Sequence, residues 1–233
     1  MPLVNFRDVA DNAGPRLRPG LLYRSARPTG LTAAELAAAA PGLCCVVDLR
    51  GPDERTAADW AAADALGATV LNLPGQGSPT DLAALPPGTT LGGLYTLLLD
   101  HRAAWFASVV AELADRLPAV VSCAAGKDRT GLTVALVLDL VGVGRADIIR
   151  DYTATAAAMP EVLAALELAP ANGVAADARY AEAAAVGGLL DAPEDALTAF
   201  LDALAERGGA ERLLTRHGLT DDHVVRLRAA LAA

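Results

Sequence analysis

Cys123 and Arg129 lie at the two ends of a short loop in the string Ala119 to Gly131, AVVSCAAGKDRTG. Their types and spacing fit a phosphate. A cysteine thiolate attacks phosphorus well, and the phosphocysteine it forms divides one hard displacement into two easier ones. The planar fork of Arg129 takes two phosphoryl oxygens at once and stays charged at any working pH. Gly126 lets the backbone turn its amides inward, so Ala124, Ala125, Gly126 and Lys127 are candidate phosphate-binding positions. The Thr130 hydroxyl is placed to hydrogen-bond the Cys123 sulfur and stabilise it as a leaving group. Lys127 and Asp128 add an ammonium and a carboxylate beside the phosphate.

These residues must be positioned by a strand and a helix. Ala119–Ser122 reads as a short buried strand and the apolar run Gly131–Leu140 as a buried helix. A loop joining them ends at a helix N-terminus, whose unpaired N–H groups and positive dipole end suit a phosphate dianion and a thiolate. Two similar motifs do not fit. A nucleotide-binding P-loop needs glycine where Val121 stands and Ser or Thr where Asp128 stands. A rhodanese-type loop is one residue shorter between cysteine and arginine.

The run Cys123–Arg129 resembles the CxxxxxR signature of the protein-tyrosine phosphatase superfamily, and CAAGKDRTG is similar to the atypical bacterial tyrosine phosphatases of the protein-tyrosine phosphatase B type. NFRDVADNAG, RLRPGLLYRSARPTGLT, VVDLRGPDER and the tail from Ala192 to Ala233 resemble the same family in order and spacing, so the likeness spans nearly the whole chain. The resemblance implies a cysteine-dependent phosphatase without metal or other cofactor. Its substrates would be phosphotyrosine, phosphoserine or phosphothreonine in proteins, or phosphoinositides. It also implies a helical lid over the site at about 154–190.

Two positions depart from that family. Ser122 stands where the family usually carries a histidine that orients the loop, and Leu73 to Gly77 lacks the aspartate often found after the third strand. Asp128 is then the leading general acid, as the Lys-Asp pair before the arginine suggests, and Asp81 is the alternative. The charge of Lys127 favours a phosphoinositide or inositol-phosphate phosphatase as a rival reading. The absent histidine leaves open a catalytically weak phospho-ligand binding module.

Composition sets outer bounds. The chain has 233 residues, a net charge of −9 and three cysteines. That length suits one phosphatase domain, 1–233, and the acidic balance argues against a nucleic-acid partner. No apolar run reaches the length of a membrane span and no signal peptide is recognisable, so the expected location is cytoplasmic, or exported by a route without one. Cys44 and Cys45 read as core residues of a strand, and the three cysteines lack metal-binding spacing.

Strands alternate with helices, which predicts an α/β fold with a central, mostly parallel sheet flanked by helices. The expected strands are Leu21–Ser25, Cys44–Leu49, Thr69–Leu73 and Ala119–Cys123. Asp53 is expected to cap a helix running to about Leu66, and Leu94–Leu117 is expected to be helical. Pro74 to Gly93 reads as a long connection. Ala154 to Leu190 has residues for two short helices and a hinge, and Pro193 to Ala233 for three amphipathic helices. Arg24 and Arg50 follow apolar strands and either contact substrate or pair with Asp48 or Asp128. His101, His217 and His223 read as surface or capping residues.

Overall fold

The computed structural model describes residues 3–56, 58–75, 88–167, 188 and 190–233. Asp81, most of the Pro74 to Gly93 connection and the part of the expected lid at 168–187 and 189 lie outside the described residues.

Runs rich in β-branched residues around Val46, Val70 and Val120 form three of the five strands of the sheet. Its strands are β1 (Arg7–Asp8), β2 (Leu22–Ser25), β3 (Cys45–Asp48), β4 (Thr69–Asn72) and β5 (Ala119–Ser122). They lie in the order β1-β2-β5-β3-β4, with β1 antiparallel to β2 and every other pairing parallel. Every residue of β2, β3 and β5 is buried, as expected of parallel strands covered on both faces. The register puts Ser25, Ser122 and Asp48 level across β2, β5 and β3. The chain therefore leaves the sheet at one common edge, where open α/β sheets place their ligands.

Early helices are short: α1 (Ala10–Ala13), α2 (Ala33–Ala39) and α3 (Ala61–Ala65). Helix α2 is nucleated by a capping box, with Thr32 accepting from the Glu35 amide while Glu35 returns to the Thr32 amide. Long helix α4 (Leu91–Asp115) starts one turn earlier than expected because the Thr90 hydroxyl caps it at Gly93. It packs against α5 (Asp128–Leu140) and against the C-terminal helices α8 (Glu194–Glu206), α9 (Gly209–Arg216) and α10 (Asp221–Leu231). Between them come α6 (Arg145–Thr153), a 3₁₀ turn (Ala154–Ala158) and α7 (Met159–Glu167). Helix α5 is buried nearly all round, as its continuous apolar sequence requires.

Two expectations change. Asp53 caps no helix: it lies in a 3₁₀ turn, Pro52–Glu54, after which Arg55 is extended and α3 begins only at Ala61. Cys44 is exposed, and only Cys45 of the pair is a core residue. The strand starts after Cys44, so the side chain of Cys44 escapes the sheet. Strand β1 and helices α1 and α2 were not anticipated. His223 caps α10 by accepting from the Thr220 amide, and His101 and His217 are exposed.

Candidate active site

The loop between β5 and α5 is held from behind by its carbonyls. Ala124 O accepts from the Arg27 amide at 3.2 Å. Asn5 Nδ2 donates to Ala125 O at 3.0 Å and to Gly126 O at 3.2 Å, and Arg24 Nη2 donates to Gly126 O at 2.7 Å. In a trans peptide the carbonyl and the following N–H point in opposite directions. Pinning these carbonyls outward therefore turns the N–H groups of Ala125, Gly126 and Lys127 toward the hollow between Cys123 and Arg129. None of the three donates to another described backbone group. The first helical bond of α5 is Gly131 N–H to Lys127 O, so the Asp128, Arg129 and Thr130 amides have no acceptor within the helix.

Gly126 makes this arrangement possible. Its φ is +65°, and an added Cβ would lie 2.5 Å from the backbone of Ser25 and Ala26. The glycine is thus required by contact with the end of β2, and not only by room for an anion. Ser122 bonds Ala26 O at 3.1 Å and so ties the start of the loop to the same segment. On another side Ala125 packs against Val4, Ala26, Met159 and Val162, which brings α7 onto the loop.

Cys123 is buried, with 2% of its surface exposed. Arg129, also buried, is set by Leu49 O at 3.0 Å and by a two-pronged bond to Glu54, with both oxygens at 2.6 Å. Burial works against its charge. The Glu54 hydrogen bonds and the charges of Cys123 and Asp128 outweigh it and hold the guanidinium still more firmly protonated. Glu54 is itself placed by the Gly51 amide at 2.8 Å. Its backbone carbonyl takes Arg50 Nη1 at 3.1 Å, and Arg50 is clamped to Asp48 at 2.6 Å and Asp59 at 2.8 Å. Arg50 therefore pairs with Asp48, one of the expected partners, and carries the turn that presents Glu54.

Asp128 opens α5, and its Oδ1 accepts from Tyr95 Oη at 2.6 Å and lies 3.3 Å from Lys127 Nζ. Tyr95 is in turn 2.7 Å from the hydroxyl of Tyr152. Burial first, and the Asp128 charge second, push both phenols well above their ordinary range, so both stay protonated at neutral pH. Lys127 is 1% exposed and donates to Asp191 O at 2.7 Å.

Two expected contacts differ. Arg24 pairs with neither Asp48 nor Asp128 but with Asp151, at 2.5 Å. Thr130 Oγ1 makes no bond to the Cys123 sulfur: it is buried and without a hydrogen-bond partner among the described residues. A buried helical hydroxyl usually returns to the carbonyl four residues back, as Thr133 does to Arg129 O. For Thr130 that carbonyl is Gly126 O, which Asn5 and Arg24 already fill. Among the described residues no group of His, Cys, Asp and Glu is placed to hold a metal ion, and no helix is long and apolar enough to cross a membrane.

A match to the tyrosine phosphatase family runs from residue 2 to residue 233. The chain belongs to this family. It is 30% identical over 192 residues to a protein of Mycobacterium tuberculosis named triple specificity protein phosphatase PtpB, covering 69% of each chain. A protein of Cupriavidus necator named as a tyrosine-protein phosphatase is 31% identical over 163 residues, which are 64% of this chain and 59% of that relative. A tyrosine-protein phosphatase of Nostoc commune is 39% identical over 69 residues, 29% of this chain and 24% of its own.

Sequence reasoning missed Asn5, Glu54, Tyr95, Tyr152 and Asp151. Only Glu54 left a local trace, as a carboxylate one turn past a strand end. It also carries a pH signature: burial opposes its charge, but the hydrogen bonds and charge of Arg129 hold its carboxyl below the ordinary carboxylate range. A depressed folded-state pKa contributes stability above the unfolded value that is lost as pH falls through the folded one. Glu54→Gln should therefore unfold at lower urea than the wild type at pH 7, with the difference closing below about pH 4. Urea midpoints measured across pH check this, and a difference that does not change with pH would mean that the Glu54 charge is not engaged by Arg129.

Proposed function

We propose that this chain, as one phosphatase domain, hydrolyses phosphate monoesters through a phosphocysteine, with phosphotyrosine in proteins as the main substrate class. The observation that carries the reading is the loop whose Ala124, Ala125 and Gly126 carbonyls are tied outward between a buried cysteine and an arginine already aligned by Glu54. Such a cradle needs little reorganisation as charge develops on the phosphoryl oxygens, the condition under which fixed donors contribute most.

In the first step the Cys123 thiolate forms a bond to phosphorus as the ester P–O bond breaks, and Asp128, in its acid form, gives its proton to the leaving oxygen. In the second step water attacks phosphorus and passes a proton to the Asp128 carboxylate. The P–S bond breaks, and phosphate and the thiolate are released. Arg129 spans two phosphoryl oxygens in both steps. The unpartnered Thr130 hydroxyl is available to the sulfur as it leaves. Tyr95, always protonated, holds one Asp128 oxygen and leaves the other for substrate.

Phosphoinositides or inositol phosphates are the alternative substrate class, favoured by the ammonium of Lys127 beside the loop. Lys127, 3.3 Å from Asp128 Oδ1, is the cation that would serve a second phosphate. Its ammonium already donates to Asp191 O, so such a group would share Nζ with that carbonyl. Lys127→Ala should then lower kcat/KM more for a phosphoinositide than for a phosphotyrosine peptide, and equal losses would remove this second class.

Cys123→Ser should abolish turnover of p-nitrophenyl phosphate yet still bind tungstate, because the amide cradle survives while the hydroxyl is a far weaker nucleophile. Steady-state hydrolysis by that variant would rule out the covalent route. Asp128→Asn should slow a phosphotyrosine peptide by at least about tenfold more than p-nitrophenyl phosphate, because proton donation matters most for the poorer leaving group. Equal slowing of the two substrates would assign Asp128 a structural role.

A further inference from the structure

Arg24 is an arginine buried without any exposure, and it is set directly behind the phosphate loop. One arm, Nη1, is 2.5 Å from Asp151 Oδ2, the other donates to Gly126 O, and its Nε has no hydrogen-bond partner among the described residues. Asp151, in the last turn of α6, is 1% exposed and is shared with a second cation. Arg7 Nε lies 2.9 Å from Asp151 Oδ1, and Arg7 Nη2 donates to Asp151 O at 2.5 Å and to Thr155 Oγ1 at 3.1 Å. Arg7 Nη1 meets Asn5 Oδ1 at 2.6 Å, and Asn5 is the residue that holds the Ala125 and Gly126 carbonyls.

Two guanidinium groups thus share one buried carboxylate, and both reach the loop, one directly and one through Asn5. Asp11 adds a weaker attraction on Arg7. Removing charges from water is costly unless they are paired, and this cluster has one more positive than negative charge within it. Burial first, and the nearby Arg24 charge second, lower the Arg7 guanidinium to about 10. A cluster built only for stability would gain from a second carboxylate or from apolar replacement. The surplus charge lies instead against the outer face of a loop whose inner face presents the Ala125 and Gly126 amides to the hollow beside Cys123. Ser122, beside the nucleophile, is neutral.

We propose that Arg24, oriented by Asp151 and buttressed by Arg7 and Asn5, is a positioning residue for the phosphate loop. It fixes the Gly126 carbonyl outward and supplies a buried positive charge that an anion in the cradle completes. The proposal rests on the phosphatase reading of that loop. Because Asp151 leads through the 3₁₀ turn at Ala154–Ala158 into α7, which packs on Ala125, the same cluster links the α6–α7 segment to the geometry of the amides.

The test measures tungstate affinity together with the ratio of alkylation rates of Cys123 by iodoacetate and by iodoacetamide, two reagents that differ in charge. Cys123 is followed by peptide mass, with exposed Cys44 as the internal reference. The wild type should show tungstate-protected alkylation of Cys123 and a preference for the anionic reagent. Arg24→Gln should weaken tungstate binding by about tenfold or more, the worth of one hydrogen bond to a charged group, and lower the ratio at Cys123 but not at Cys44. Arg24→Lys should recover the ratio more than the affinity, since it restores charge without the fork.

Should Arg24→Gln fail to fold, Asn5→Ala and Arg7→Gln carry the same test from the rim of the cluster. Asn5→Ala should weaken tungstate binding with the ratio unchanged, and Arg7→Gln should lower both. Folded variants that keep affinity and ratio within about twofold of wild type would overturn the proposal. If tungstate fails to protect Cys123 in the wild type, the reading of the loop itself falls, and the role of Arg24 with it.

Discussion

The contact of Gly126 with the end of β2 governs the site. With no Cβ, the loop lies directly on the backbone of Ser25 and Ala26, where any other residue would bring a carbon to 2.5 Å. Only at that distance do the Arg27 amide, Asn5 and Arg24 reach the loop carbonyls. Each buried carbonyl left unpaired would cost about 1–3 kcal/mol, so three anchored carbonyls outweigh the modest entropic cost of a glycine. The unpaired groups are thereby confined to the inner face, where N–H donors are useful to an anion and water can reach them until it arrives.

A second constraint acts on Arg129. Its guanidinium is not waiting in solvent for a substrate: Leu49 O and both Glu54 oxygens already fix its plane. A long side chain loses as much as about 2 kcal/mol of rotamer freedom when it is fixed, and here folding meets that cost before any ligand arrives. The support runs back to Asp48 at the end of β3 through Arg50, so Cys123 and Arg129 are placed by neighbouring strands of one sheet.

What was legible in the chain follows from the range of each interaction. The strands around Val46, Val70 and Val120 were readable because β-branched runs between turn residues are local signals, and the Cys123–Arg129 loop because its chemistry fits within a few residues. The capping box of α2 was present in Thr32 and Glu35 but lay in a short alanine-rich stretch, and β1 is too short for any periodicity. The error at Asp53 has a physical cause: Arg50 holds Asp59 and the Glu54 carbonyl, which keeps the chain extended at Arg55 and postpones the helix to Ala61. Tyr95 and Asp128 are 33 positions apart, and Arg24 and Asp151 are 127 apart. Partnerships of that kind are made by packing and leave no pattern in the sequence between them.

The order β1-β2-β5-β3-β4 places the strand that carries Cys123 in the middle of the sheet, with β2 and β3 paired to it over the same four residues on either side. Fraying of the sheet must therefore begin two strands away, at β1 or β4, and β4 has no fully buried residue. In amide hydrogen exchange the β5 amides would report opening of the whole molecule, whereas Val70 and Leu71 on β4 would exchange through local excursions that leave the central strand intact. The strand that leads to Cys123 is in this sense insulated from the commonest motions of its own sheet.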